Sequence, residues 1–559
     1  MITPVSRRWI PIALVVAAAT LFFVANRGAY KGYFSDDDLA GMGWPTFVSN
    51  DAFVKGLLTP EFLPSNFRPV GFLYYRYLGR AFKLWFPPYV ATIQILHVIN
   101  VILLLFLLRR MGFSPLAAGS GALFYAFNAA VLEAYWKPMY VFDVLCCLFC
   151  LVTLLFYVRG RWLLALIPFW LAYKSKEIAV MLPVALLAYE LMLGERKWKH
   201  LIPYLVISLN FGLQALLANE SIQADSTYAL LFTPHMLWNT IAFYSSALLF
   251  LPFAGLALVL LPIFVRDRRL YVGLIFMAAT LVPMLALPQR MASVYWYVPL
   301  AGLAIAFAAV ASRTPHWTIA LFFILWFPLN YMMLRDKRRE ILSLADENRW
   351  YTTGLLDYSR RVPPLQAVVF QGTPPHMQPW GVEGAIREAF GYKINSVWYK
   401  NPQAQEAMAE LPMAIVGYYP VTHKVKGLLR THNELESYLR LTDEVPNFQL
   451  GEGWYNDEGD HRWIAPRAEV TLRRPADAKE FEIVAVTPSV KVTVFEDGVS
   501  LGTQTLSNSN GNPEILRWKL QGGGGDNKKI VIQTEPPTHR PRDPRTLGID
   551  VRAMGYVAP

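Results

Sequence analysis

Long apolar runs follow one another from residue 9 to residue 334 of this 559-residue chain, and they constrain its fold more than any other feature. A helix needs about 20 apolar residues to cross a bilayer. The chain is 54% hydrophobic and 14% aromatic, which is typical of a membrane protein. We therefore expect an α-helical polytopic membrane domain with about 11 spans. The candidate spans lie near 9–25, 88–108, 114–132, 139–158, 162–173, 178–193, 200–218, 250–265, 270–287, 297–312 and 317–334.

Basic residues in the short loops predict the orientation of these spans. Arg109, Arg159 and Arg266 stand in loops that share one side when the N-terminus is cytoplasmic, and most other loop cations fall on that side too. The net charge of +11 is therefore largely a topology signal, and no nucleic-acid-binding motif accompanies it. We expect a multi-pass protein of the inner (plasma) membrane, surrounded by membrane lipids, with a periplasmic or otherwise extracytoplasmic C-terminal region and no nucleic-acid partner.

The pattern changes after residue 335, where long apolar runs stop and charged residues, Gly and Pro become more frequent. Helix-like stretches alternate with short apolar runs across 336–447, which indicates a soluble α/β unit. Period-two alternation and turn signals dominate 448–559, which favours a β-sandwich. The predicted domains are thus a transmembrane domain over 1–335, followed by two extracytoplasmic regions over 336–447 and 448–559.

Three consecutive acids, Asp36, Asp37 and Asp38, directly follow the first apolar segment. Adjacent carboxylates repel one another, so their presence suggests a proton-transfer role, a cationic partner or a bound cation. A divalent cation such as Mg²⁺ or Mn²⁺, with Asp37 among its ligands, is one possibility. The alternative is a solvated loop that matters only for topology.

Other ionisable residues fall at the same predicted face of the membrane: Glu133, Asp143, Lys176, Glu177 and Arg290. Ionisable groups at a bilayer edge are costly and are functional candidates by default. Carboxylates and cations together suit transfer from a lipid phosphate, because cations can hold the phosphate while a carboxylate takes a proton. The alternative is that each is a structural anchor, with Asp143 simply paired to a nearby lysine.

Several short motifs occur in order within 1–335. They are the acidic group at 36–38, Asn66-Phe67-Arg68-Pro69-Val70, His97 with Asn100, Glu133-Ala134 with Asp143, Ser175-Lys176-Glu177, and Arg290 with Tyr297-Val298-Pro299. Together they resemble the polytopic glycosyltransferases of the GT-C class, in particular the branch of protein O-mannosyltransferases and of mannosyltransferases with tetratricopeptide repeats. That class carries an acidic pair in its first external loop, and Asp37 belongs to either pair that the triplet can form.

The resemblance implies an inverting hexosyl- or pentosyltransferase with a polyprenyl-phosphate-linked sugar as donor and a glycolipid, polysaccharide or protein as acceptor. It makes one acid of the triplet, best Asp37, the catalytic base or the acid that binds the acceptor. It assigns Arg68, Lys176 and Arg290 to the donor phosphate, and Glu133 and Asp143 to the sugar or acceptor. Glu177 and His97 are further substrate-binding candidates, although a histidine in an apolar helix is more often a core residue.

The main rival function is a transporter or flippase of lipid-linked glycans. Such a protein needs polar residues in the middle of several spans. In this chain the ionisable residues collect at one predicted face, which favours the enzyme.

The C-terminal region has a resemblance of its own. Gly453-Trp454-Tyr455 with Glu458 and Arg462-Trp463, and the later Asp543-Pro544-Arg545, resemble motifs of sandwich domains that are appended to carbohydrate-active proteins. An exposed aromatic beside charged groups suits sugar recognition. The alternative is that these aromatics and arginines are core and strut residues of the fold.

Overall fold

A computed structural model of the protein describes residues 4–62, 67–217, 231–399, 401–441, 448–458, 461–487, 489–507, 511–540 and 543–558. Two compact units divide the chain, Met1–Arg349 and Trp350–Pro559, and we call them the N-terminal and the C-terminal unit. Asn66, part of a motif quoted above, lies outside the described residues, as does the predicted boundary at 447.

The N-terminal unit is built from helices joined by short 3-10 turns. The helices are α1 (Pro4–Ala25), α2 (Asp36–Phe47), α3 (Asn50–Leu58), α4 (Pro69–Phe82), α5 (Pro87–Arg110), α6 (Pro115–Phe127), α7 (Val141–Val158), α8 (Trp162–Ser175), α9 (Leu182–Met192), α10 (Ile202–Leu217), α11 (Pro234–Leu249), α12 (Leu261–Phe264), α13 (Arg268–Leu285), α14 (Pro299–Ala311) and α15 (His316–Ser359). The 3-10 turns that matter below are Ala129–Tyr135, Pro138–Tyr140, Glu177–Met181, Pro288–Arg290 and Ser293–Trp296.

Within the described residues, five helices are long and apolar enough to cross a membrane, or up to seven if each of two bent pairs is one span. The bent pairs are α6 with the Ala129–Tyr135 turn, at 65°, and α11 with the 254–264 segment, at 92°. Several apolar helices of this length identify a multi-pass membrane protein. The count of 11 spans stays a prediction, because helices such as α8, with 14 residues, are shorter than a perpendicular crossing requires.

The predicted span at 250–265 differs from the structure. The long helix there is α11, which ends at Leu249, and the chain then continues through a 3-10 turn, Ala254–Leu260, into the four-residue α12. Phe250 and Phe253 both have positive φ, at 61° and 57°. These two left-handed residues follow the end of α11, so the apolar run after residue 250 does not form the continuous helix that the sequence predicts.

Helices α13 and α14 approach each other at a pair of glycines. A Cβ atom added to Gly302 would lie 2.6 Å from the Met277 backbone nitrogen and 2.8 Å from the Gly273 carbonyl oxygen. Small residues at such crossings let backbones come together, which is how helices commonly associate in membranes. This close crossing fixes the start of α14 beside the turns that hold the candidate site.

The loop between α1 and α5 folds into the short helices α2 to α4. Pro69 begins α4, and its missing N–H costs nothing at the first position of a helix. Tyr74 and Tyr75 are buried on one face of α4, whereas Tyr77 is 65% exposed on another. This buried face packs against α5 and α7, and Tyr75 also holds the N-terminus of α2 in place.

The C-terminal unit begins with a small α/β part. Its mixed sheet has the order β2-β1-β3-β4, in which β1 pairs parallel with β2 and β3, and β4 pairs antiparallel with β3. The strands are β1 (Ala367–Gln371), β2 (Asn395–Trp398), β3 (Met413–Tyr419) and β4 (Lys424–Arg430), and the helices α16 (Pro379–Phe390) and α17 (Ala404–Ala409) lie between them in the chain.

The remainder of this unit is rich in β-structure, as the alternation of the sequence predicts. The strands are β5 (Tyr438–Arg440), β6 (Trp454–Asp457), β7 (Arg462–Ile464), β8 (Arg467–Arg473), β9 (Glu480–Ala485), β10 (Val490–Glu496), β11 (Val499–Leu506), β12 (Glu514–Lys519), β13 (Asn527–Glu535) and β14 (Asp550–Val557). They form one sheet of order β11-β10-β13-β8 and another of order β12-β9-β14-β7-β6. The two sheets bury their inward side chains in one core, to which the first contributes Val492 and Ile530 and the second Phe481 and Trp518.

Candidate functional site

The aspartate triplet forms the first turn of α2, and its last member is a structural residue. Asp38 is fully buried, and its carboxylate accepts hydrogen bonds from the Ser35 backbone N–H at 2.8 Å, the Ser35 hydroxyl at 2.7 Å and the Tyr75 hydroxyl at 2.8 Å. The bonds to Ser35 cap the helix N-terminus. Burial raises the pKa of Asp38 to about 6. Asp38 therefore anchors α2 to α4, which argues against its predicted place among the catalytic candidates.

The other two aspartates face outward to different degrees. Asp36 is half-buried and Asp37 is exposed. The Ser35 hydroxyl that helps to cap the helix also contacts the Met139 sulfur at 3.0 Å. The start of α2 is thereby held against the Pro138–Tyr140 turn. Of the three acids, Asp37 is the one that solvent and a substrate can reach most easily.

A second group of charged residues forms two ion pairs around the end of α8. Lys176 Nζ donates to Asp143 Oδ1 at 2.7 Å, and both side chains are nearly buried. Arg68 contacts the next residue, Glu177, through Nε at 3.1 Å and Nη2 at 2.9 Å. Since Lys176 and Glu177 are consecutive, the two pairs form one row of alternating charges. The Lys176 ammonium also lies 5.0 Å from the centre of the Tyr295 ring.

Glu133 lies in a third cluster with two lysines. Lys137 donates to Glu133 Oε2 at 2.9 Å, and the Lys337 ammonium lies 4.0 Å from Glu133 Oε1. Lys337 also donates to the Ser293 hydroxyl. Lys337 belongs to α15, beyond the predicted end of the membrane domain, and none of the sequence motifs includes it. The one sequence signal that could have indicated this residue is its position about one turn after the last apolar run.

Tyr140 connects these clusters. Its hydroxyl lies 3.5 Å from Glu133 Oε2, and it also interacts electrostatically with Asp143, Asp37 and Tyr295. Tyr140 therefore interacts electrostatically with residues from the first loop, from α7 and from the Ser293–Trp296 turn. The ion pairs bring together several of the predicted site residues, and the structure adds two tyrosines that no motif predicts, Tyr140 and Tyr295.

His97 does not belong to this group. It is fully buried, with Nδ1 2.8 Å from the Tyr297 hydroxyl and Nε2 3.2 Å from the Ala126 carbonyl oxygen. Asn100 donates to the same Tyr297 hydroxyl at 3.1 Å. Both ring nitrogens of His97 thus bond within the protein, which favours a packing role over the predicted substrate contact. Tyr297, from the last predicted motif, is part of the same buried network.

Arg290 ends the Pro288–Arg290 turn and is half-buried. It lies three residues before Ser293, which contacts Lys337. Its predicted role toward a phosphate stays a prediction.

Glu133 and Asp143 do not fit a divalent cation well, and a cation at Asp37 stays a prediction. Mg²⁺ takes several oxygen ligands at one point, but Asp143 and Glu133 each face a lysine. Across the described ranges, no group of three or more His, Cys, Asp or Glu side chains could hold a metal ion.

The aromatic motif of the C-terminal unit has one buried aromatic, Trp463, and its other two aromatics are half-buried. Trp463 is 1% exposed, and the Arg540 guanidinium lies over its ring at 4.4 Å. Arg545 covers Tyr455 at 5.1 Å and pairs with Asp543 at 2.7 Å. These contacts favour the core-and-strut interpretation, and the resemblance to carbohydrate-binding domains stays a prediction.

Comparisons with known proteins give only distant likenesses. No protein-family model matches the chain, and no curated protein sequence matches it. Among solved structures, ArnT from Cupriavidus metallidurans bound to undecaprenyl phosphate aligns over 74% of this chain and 94% of its own, at 11% identity and a TM-score of 0.45. The arabinosyltransferase EmbB from Mycobacterium smegmatis aligns over 100% of this chain and 65% of its own, at 12% identity and a TM-score of 0.31. Both scores are too low to establish a shared fold, so the residues of the site have to support any inference about function.

Proposed function

We propose that the protein is a membrane glycosyltransferase of the GT-C class. It transfers a sugar from a polyprenyl-phosphate donor to an acceptor outside the cytoplasm, with inversion at the anomeric carbon. The N-terminus is cytoplasmic in this proposal, and the site and the C-terminal unit face the periplasm or cell exterior.

One arrangement carries the proposal: two cations are held in fixed positions by ion pairs, and the exposed carboxylate Asp37 is linked to them electrostatically through Tyr140. Asp37 and Asp143 both interact with Tyr140, and Asp143 is bonded to Lys176. Arg68 is fixed beside Lys176 through Glu177. A base and a phosphate-binding pair at one site are what transfer from a lipid phosphate requires.

The ion pairs orient the two cations without using all of their donors. A guanidinium has five N–H groups and an ammonium has three. Glu177 accepts from two nitrogens of Arg68, and Asp143 accepts one bond from Lys176. The remaining N–H groups are sufficient to bind the oxygens of a donor phosphate.

In the proposed reaction, Asp37 takes the proton of the acceptor hydroxyl as that oxygen bonds to the anomeric carbon of the sugar. The bond between this carbon and the phosphate oxygen breaks, and the polyprenyl phosphate leaves with the electron pair. Arg68 and Lys176 stabilise the charge that develops on the phosphate. Attack from the face opposite the phosphate inverts the anomeric carbon.

The remaining site residues bind substrate in this proposal. Glu133 contacts Tyr140 and Asp143 interacts with it electrostatically, so both can shape a pocket for sugar or acceptor hydroxyls. Arg290 is assigned to the phosphate by the motif resemblance. The motif resemblance favours a mannosyltransferase-like enzyme within the hexosyl- and pentosyltransferases. The acceptor is a glycolipid, a polysaccharide or a protein.

The test is transfer of radiolabel from polyprenyl-phosphate sugars into a membrane extract by purified wild-type protein and by Asp37→Asn. Asp51→Asn is the matched control, because Asp51 is an exposed acid in the first turn of the neighbouring α3. We expect transfer by wild type and by the control, and a loss of about 100-fold or more in Asp37→Asn.

Two results would overturn the proposal. One is that wild type labels no acceptor, and the other is that Asp37→Asn labels it equally well. Movement of intact labelled lipid across proteoliposomes, without transfer, would favour the transporter or flippase instead.

A further inference from the structure

A groove of about 580 Å³ lies within the C-terminal unit, between the end of α15 and the edge strand β4. Residues 350–361 supply the helical wall, and His423, Lys424 and Lys426 supply most of the opposite wall. None of these residues belongs to the transfer site described above. The composition of the two walls indicates what the groove can bind.

The walls carry an excess of positive charge. Arg361, Lys424 and Lys426 all line the groove, and Asp357 is the only acid among its described lining residues. Asp357 pairs with Arg360 at 3.2 Å, which offsets its charge. A groove with this balance attracts an anion.

An aromatic pair stands at the same groove. The Trp350 and His423 ring centres are 3.8 Å apart, and Trp350 is 41% exposed. His423 is held by the Tyr418 hydroxyl, which lies 3.2 Å from Nδ1. A fixed, partly exposed indole provides a flat apolar face for the CH groups of a sugar ring.

Tyr358 adds a polar group to the wall. Its ring is 8% exposed and packs so closely on Gly427 that a Cβ there would lie 2.3 Å from Cζ. Its hydroxyl is buried and has no hydrogen-bond partner among the described residues. Burial raises the pKa of Tyr358 to about 12, so the hydroxyl stays protonated and can donate. A buried hydroxyl without a partner is costly, and a ligand oxygen would remove that cost.

We propose that this groove binds an acidic saccharide, a sugar that bears a carboxylate or a phosphate. The cations Arg361, Lys424 and Lys426 bind the anionic group, Trp350 packs on the ring, and the Tyr358 hydroxyl donates to a sugar oxygen. A simple anion uses only the cations, and a neutral sugar uses only the other two groups. The site goes beyond the proposed transfer reaction and does not depend on it.

The test is calorimetric binding to the full-length protein in detergent micelles. The probes are a galacturonate oligosaccharide, glucose 6-phosphate, a neutral maltooligosaccharide and inorganic phosphate. We expect one or both acidic sugars to bind about tenfold or more tightly than the neutral sugar and the inorganic anion. Which of the two acidic sugars binds identifies a carboxylate or a phosphate as the recognised group.

Three variants locate the binding. Arg361→Gln/Lys424→Gln should weaken it about tenfold, and Tyr358→Phe, which removes one oxygen atom, should weaken it several-fold. Lys491→Gln/Lys519→Gln removes the same charge from exposed positions on β10 and β12 and should leave affinity unchanged. Equal binding of inorganic phosphate or neutral sugar, equal weakening by the Lys491/Lys519 control, or no binding of either acidic sugar would overturn the proposal.

Discussion

Lys176 and Asp143 form a 2.7 Å ion pair in which the two side chains are only 9% and 6% exposed. Removal of one partner leaves the other as an uncompensated buried charge, which typically costs about 3–5 kcal/mol. We expect Lys176→Met to lower the thermal unfolding temperature of the purified protein substantially. The exposed Lys197–Glu195 pair is the control, because Lys197→Met should leave that temperature unchanged.

A double variant separates the stabilising role of this pair from its proposed binding role. Lys176→Met/Asp143→Leu removes both charges, so much of the lost stability should return. Transfer activity should not return, because the cation that binds the phosphate is still missing. A double variant that regains both stability and activity would assign the pair a structural role alone.

Asp38 should make stability depend on pH in a narrow window. Its folded pKa of about 6 lies above the ordinary value of 3.8 because the carboxyl is buried. The folded state therefore holds a proton that the unfolded state has released, and stability falls as the pH rises from about 4 to about 6, by at most about 3 kcal/mol. Unfolding of wild type and Asp38→Asn should be followed from pH 4 to pH 8. The difference in unfolding free energy between the two proteins should change with pH below pH 6 and stay constant above pH 7. A difference that is constant over the whole range would contradict the raised pKa of Asp38.

The local part of this fold could be predicted from sequence, because apolar runs and alternation report on a residue's near neighbours. The helices over 87–110 and 141–158 and the strands over 480–496 follow such signals. The irregular backbone that replaces the predicted span at 250–265 could not be predicted in this way. It depends on two left-handed residues within an apolar run, and hydropathy does not detect backbone dihedrals.

Part of the candidate site could likewise be predicted from sequence, and part could not. The motifs located Asp37, Arg68 and Lys176, but they could not choose among partners that the fold brings together. In the structure, Lys176 donates to Asp143, 33 residues away, and Tyr75 donates to Asp38, 37 residues away. Such pairings depend on how loops pack against one another, and single-sequence patterns do not contain that information.

The crossing of α13 and α14 should not tolerate a side chain at Gly302. A Cβ there would come within 2.8 Å of backbone atoms of the other helix, so the helices must separate. We expect Gly302→Val to lower stability by about 1–3 kcal/mol or more, and to reduce the yield of folded protein. Gly119→Val in α6 is the control, since a Cβ at Gly119 would meet nothing within 4 Å. Unfolding temperature and monodispersity in detergent measure the effect, and equal behaviour of the two variants would show that the crossing is not tight.

Chelation should have little effect on the proposed transfer reaction. Glu133 and Asp143 face lysines, and a base such as Asp37 needs no metal. Label transfer measured with and without excess EDTA should therefore be equal. Loss of activity on chelation, with recovery on addition of Mg²⁺ or Mn²⁺, would instead assign the exposed aspartates to a bound divalent cation.

Lys337 should act as a positioning residue for the site. It contacts Glu133 and Ser293, and so connects the Ala129–Tyr135 turn to the Ser293–Trp296 turn. We expect Lys337→Met to raise KM by about tenfold with a smaller change in kcat, because Glu133 loses one of its two cations and is no longer held in place. Lys337→Arg should restore much of the loss, since arginine keeps the charge. Arg335→Met is the matched control on the same helix, because Arg335 is 48% exposed and pairs only with the neighbouring Asp336 among the described contacts. Equal loss in the Lys337→Met and Arg335→Met variants, or no recovery with arginine, would indicate that Lys337 contributes only general helix stability.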